Sequence, residues 1–130
     1  MNGEPHVAAL LASMDPAPRP GEFVFVAGDD VDGLEPQATV REDEGLSAVV
    51  TRERADALGL EYDYVAAWIT LRVHSALEAV GLTAAVSRAL ADAGLSCNVI
   101  AGLRHDHLLV PADRRDDALR VLRDMSSVGP

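Results

Sequence analysis

The chain has 130 residues, is 48% hydrophobic, and carries 21 acidic against 11 basic side chains for a formal net charge of −10. That length allows one ordinary domain, or two very small ones that share a core, and the apolar share is higher than a disordered chain carries. Every basic residue is Arg, and so acidic a balance excludes long-range attraction to a phosphate backbone or an anionic membrane unless a local basic patch exists.

No such patch is visible. Arg52 and Arg54 flank Glu53, and Arg114 and Arg115 precede Asp116 and Asp117, the pattern of a solvated helix face. A lone Cys97 allows no internal disulfide and suits a reducing compartment. The apolar patch before Asp15-Pro16 has no basic leader, and no run approaches the roughly 20 apolar residues that span a bilayer. The expectation is a soluble, cytoplasmic protein with neither nucleic acid nor membrane as partner.

Val7, Leu10, Leu11 and Met14 recur at helical spacing, so a short amphipathic helix is expected over 4–14, stopped by the Pro-rich run 15–21. Glu22 to Ala27 reads as a buried strand ending at Gly28-Asp29-Asp30. Two extended runs, 38–42 and 46–51, flank Asp43-Glu44-Gly45, a hairpin turn because Gly tolerates positive φ. Thr51 caps a helix over 52–58 that Gly59 closes.

The second half opens on 65–73, strongly β in character and alternating from Trp68. A linking segment, His74 to Gly81, leads to a helix from Leu82 through Ala93, with Leu82, Val86 and Leu90 on one face and Gly94 as its stop. Two strands, 95–103 and 108–110, surround Arg104-His105-Asp106-His107. A last helix starts at Pro111-Ala112-Asp113, with Asp113 as cap and Ala118, Leu122 and Met125 facing inward.

Strand, helix, hairpin, helix is the βαββα order of a ferredoxin-like α+β domain, in which both helices cover one sheet face. Its fourth strand is missing from the second half. The N-terminal half, through Glu22 to Ala27, or another subunit is expected to complete the sheet.

The run from Ala67 to Val86, together with Ser96-Cys97-Asn98-Val99-Ile100-Ala101-Gly102 and His105-Asp106-His107-Leu108-Leu109-Val110-Pro111, resembles the small bacterial ACT-domain proteins of uncharacterised function. Leu11, Met14 and Pro20 to Phe25 are similar to their companion segment. The resemblance implies two tandem ACT-like units, 1–64 and 65–126, with a flexible tail at 127–130. It also implies an amino-acid-binding regulatory role, with the ligand near the loop after the first strand and against the second strand. Those positions here are His74 to Thr83 and Asn98 to Gly102.

The residue chemistry supplies what a free amino acid needs. The amides of Gly81, Leu82 and Thr83 stand at a helix N-terminus, which favours a carboxylate. Glu78 or Asp106 offers a partner for an ammonium, and Asn98 carries both a donor and an acceptor. The expected ligand site is therefore Ser75, Glu78, Val80, Gly81, Leu82, Thr83, Asn98, Val99, Ile100, Gly102 and Asp106, in a non-catalytic sensor that needs no cofactor, forms a homodimer and acts on a separate, unidentified protein. The alternatives are a histidine-based enzyme using His74, His105 and His107, with or without a divalent metal, and a structural dimerisation domain.

Overall fold

The computed structural model describes residues 3–73 and 81–127. In chain order it contains α1 (Gly3–Ser13), β1 (Asp15–Pro18), β2 (Phe23–Ala27), β3 (Ala38–Glu42), β4 (Gly45–Thr51), α2 (Arg52–Leu58), β5 (Val65–Arg72), α3 (Leu82–Asp92), β6 (Asn98–Ala101), β7 (Asp106–Pro111) and α4 (Arg115–Ser127). All strands join one antiparallel sheet in the order β3-β4-β2-β5-β7-β6, with β1 also paired to β5.

The two halves meet along β5. Asp15 to Pro18 pair with Arg72 to Ile69, and Phe23 and Val24 pair with Ala66 and Val65, so β1 and β2 lie end to end on one edge of β5. Between them Arg19 to Glu22 bulges out, although the Arg19 amide still donates to the Trp68 carbonyl at 2.9 Å. The row β6-β7-β5-β1 is then a complete ferredoxin-like sheet for the C-terminal unit, and β3-β4-β2-β5 is its counterpart in the N-terminal unit. Each unit takes its fourth strand from the other.

The N-terminal half completes the sheet as expected, but chiefly through a different segment. Glu22 to Ala27 touches β5 only at Phe23 and Val24, and the segment expected to be a Pro-rich stop supplies the longer pairing. The prolines fit because of register. Arg19 bonds to Trp68, so odd-numbered residues of this segment face β5 and the nitrogens of Pro16 and Pro18 face away, where a missing N–H costs no ladder bond.

Alternation in β5 divides the core by face. Ala67, Ile69 and Leu71 join Leu108 and Val110 of β7 beneath Leu10 of α1, Met14, the Leu82, Val86 and Leu90 stripe of α3, and Ala118, Leu119 and Leu122 of α4. In the N-terminal unit Val24, Val26, Ala48 and Val50 lie beneath Ala55 of α2 and Leu34. Here a loop over 28–37, anchored by Leu34, stands where the C-terminal unit has α3. The opposite face carries none of the described helices, yet its central row is also buried: Phe23, Val49, Ala66, Trp68 and Leu109 are at most 4% exposed.

Local chemistry explains the helix ends. Thr51 Oγ1 accepts from the Arg54 amide at 3.1 Å and Gly59 closes α2 at φ 68°. The C-terminal helix starts differently from expectation. A 3-10 turn over Ala112–Arg114 precedes α4, so Asp113 lies inside that turn and caps nothing, while Asp117 instead pairs with Arg114 and Arg120. The strand expected over 95–103 is confined to Asn98–Ala101, and its partner starts earlier, at Asp106, which places His107 in the sheet rather than in the turn.

Candidate functional site

Of the residues expected to hold a ligand, His74, Ser75, Glu78 and Val80 lie outside the described residues. Those that follow form the start of α3. Gly81 has φ 107°, a region that L side chains rarely adopt, and a Cβ there would lie 2.6 Å from Cγ2 of Val7. The element that approaches Gly81 closely is thus α1 of the same chain. Leu82 is buried in the core, and Thr83 is exposed and provides no cap. The first intrahelical bond runs from the Ala85 amide to the Gly81 carbonyl, so the Leu82, Thr83 and Ala84 amides precede the helical ladder.

Register sorts the remaining candidates. Asp106 lies opposite Leu71 near the end of β5, and Ala101 lies opposite Asp106, so Gly102 and Asp106 occupy the sheet end from which the chain leaves toward α3. Val99 packs on the helix side. Asn98 and Ile100 pair with Leu109 and His107 and so point to the helix-free face, because side chains alternate along a strand. The expected meeting of Asn98 with the start of α3 therefore does not occur: they lie on opposite sides of the sheet.

On that helix-free face a polar cluster assembles that sequence reading divided between separate roles. Thr70 pairs with His107 across the strands, and Thr70 Oγ1 lies 3.0 Å from His107 Nδ1. The Trp68 indole N–H is shared between His107 Nδ1 and Thr70 Oγ1, each at 3.2 Å. Arg19, from the bulge between β1 and β2, lays its guanidinium 4.5 Å from the Trp68 ring centroid and donates to Gln37. Alternation in 68–72 is the one signal that could have placed Trp68 beside Thr70; the pairing with His107 needed the register.

Burial, assisted by His105 and Arg19, pushes the His107 pKa below its usual value of 6.5. The neutral ring thereby keeps Nδ1 as an acceptor for the indole. A depressed histidine pKa means that the unfolded chain binds the proton more readily, so this group costs stability as pH falls through about 6.5 toward the folded value. Thermal melts of the protein and of His107→Gln between pH 7.5 and 5 should show the shallower pH dependence in the variant. Equal slopes would contradict a neutral, desolvated His107.

Other chemistry is less assembled. Among the described residues no three His, Cys, Asp or Glu side chains converge as a metal site would require. Burial pushes the Cys97 thiol up, away from the thiolate a nucleophile needs. A groove of ≈ 710 Å³ lies in the N-terminal unit, between the C-terminal half of β2 and the connection Leu60 to Asp63. Nothing in the sequence pattern marked it.

An ACT-domain family profile matches residues 2–67 and a second matches residues 64–124. The chain belongs to the ACT-domain family. Among solved structures, this ACT-domain protein is 43% identical to a Vibrio cholerae protein of unknown function, with a TM-score of 0.86 over 95% of this chain and 98% of that one. It shares its fold with an Agrobacterium tumefaciens protein at 18% identity, TM-score 0.67, over 87% of this chain and 89% of that one. It shares it also with the ligand-free regulatory subunit of aspartate kinase from Thermus thermophilus, at 12% identity, TM-score 0.62, over 85% and 95%. No curated protein matches the chain significantly. No described helix is long and apolar enough to cross a membrane.

Proposed function

We propose that this ACT-domain protein is a non-catalytic sensor of a small metabolite, an amino acid, whose binding is read by a separate protein. The division of labour is between units 1–64 and 65–126, with the ligand at the α3 end of the second. The reading rests on the amides that precede the α3 ladder and on the Asp106 carboxylate at the sheet end from which the chain leaves toward α3. Those groups supply the anion and cation partners of an amino acid's two charges. Ser75, Glu78 and Val80 remain candidates outside the described residues, and Asn98 and Ile100 drop out because they face away. Family membership and the fold shared with aspartate kinase regulatory subunits support a regulatory role. A histidine-based reaction has less support, since His107 Nδ1 is already engaged by Trp68 and Thr70.

A thermal-shift panel of the amino acids tests this. A ligand at 100 times its dissociation constant adds about 2.7 kcal/mol to stability, enough for a shift of several degrees in a protein of this size. Asp106→Asn should diminish that shift. Silence across the panel, repeated in calorimetry, would remove the amino-acid reading.

A further inference from the structure

The groove along β2 occupies a strand position that the other unit fills. Thr51 and Pro111 each end a strand and lead into a helical turn, and they pair with Phe23 and Ala66 respectively. Aligning the two units on these pairs puts Phe25 with Trp68, Ala27 with Thr70 and Asp29 with Arg72. In the C-terminal unit the edge of β5 from Ile69 to Arg72 is covered by the four residues of β1. In the N-terminal unit the matching edge of β2 loses its neighbour after Val24, because Leu60 to Asp63 runs apart from it as non-strand chain and forms the groove's far wall.

Backbone direction shows what this leaves open. Gly28 donates to the Leu46 carbonyl and Arg52 donates to the Glu22 carbonyl, so even-numbered β2 residues bond to β4 and odd-numbered ones face the groove. The amide and carbonyl of Ala27 have no partner among the described residues, and both Phe25 and Ala27 are exposed. An unpaired rung beside an open groove is a template for an added strand.

Charge selects the occupant. Glu42, Glu44, Glu61 and Asp63 line the groove with Asp29, whose carboxylate is already taken by the Leu46 amide, and none of the described lining side chains is cationic. A second copy of this chain, itself at −10, would bring like charge. We propose that this groove docks an extended, arginine- or lysine-bearing segment of a partner protein, about four residues long, which adds to β2 as β1 adds to β5. This goes beyond the amino-acid reading and uses none of its residues.

The full-length, isotope-labelled protein would be titrated with an acetylated, amidated five-residue peptide alternating valine and arginine, followed by amide resonances and calorimetry. Two N-methylated versions, each blocking one alternate set of amides, a glutamate-for-arginine version and free arginine complete the set. The expected result is a shift at Ala27 and Asp63, binding at least tenfold weaker for one N-methylated version and unchanged for the other, and none for the acidic peptide. Exchanging the exposed pair, Glu61→Gln with Asp63→Asn, should weaken binding at least threefold without changing the melting temperature. Absence of binding, equal binding by both N-methylated versions, or the same shifts with free arginine would overturn strand addition. None of these outcomes depends on whether the amino-acid panel succeeds.

Discussion

Deletion of residues 1–18 should abolish the cooperative unfolding transition of the whole chain, although the deleted piece lies outside the stretch that most resembles a self-contained domain. The reason is that α1 and β1 are structural parts of the C-terminal unit. Leu10 and Met14, 7% and 4% exposed, enter the same cluster as Leu90 and Leu122, and each such side chain contributes about 1.5–3 kcal/mol on burial. β1 covers the edge of β5 over four residue pairs, and Ser126 of α4 donates to the Met14 carbonyl at 3.0 Å. Val7 fills the space in front of Gly81. Losses of this number approach the roughly 5–15 kcal/mol that holds an entire domain. Circular dichroism melts and amide dispersion of the truncated chain provide the readout, and a peptide of residues 1–18 added in trans should restore the transition. A soluble truncated monomer that unfolds cooperatively at the original temperature would show that the shared strand is dispensable.

What could be read in advance follows from where the information lies. The α3 stripe of Leu82, Val86 and Leu90 and the alternation of β5 are local patterns that the tertiary structure only ratifies. Thr51 and Gly59 act on their immediate neighbours, so the borders of α2 were legible too. β1 was hidden because two prolines in four residues look like a stop, and only the register against β5 shows that both point their nitrogens outward. The candidate site divided in the same way. Gly81 and Thr83 were placed correctly at a helix start, but the chain carries no local signal that Asn98 faces the side of the sheet away from it. The cluster of Trp68, Thr70 and His107 joins residues up to 39 apart and depends wholly on strand pairing.

The same cluster yields the second large effect. Trp68→Ala should destabilise the protein by about 3–5 kcal/mol, the cost of removing a buried large aromatic, even though none of the described helices covers that side of the sheet. Trp68 is 4% exposed, its ring centroid lies 5.3 Å from that of Phe23 and 5.4 Å from that of His107, and Arg19 stacks over it. The contacts come from three strands and the bulge, so the cavity cannot be closed by moving one element. Trp68→Phe separates the packing from the hydrogen bond: it keeps a ring beside Phe23 but removes the indole donor, a loss of about 1 kcal/mol. Alanine also admits water to His107, so that variant should return the His107 pKa toward its ordinary value, which NMR titration reads directly. A cost below about 1 kcal/mol for Trp68→Ala, with His107 unmoved, would mean that the helix-free face is a decorated surface. The expected result instead makes it a second core, formed by the sheet and the Arg19 bulge, and explains why the seam between the two units is where the aromatic residues gather.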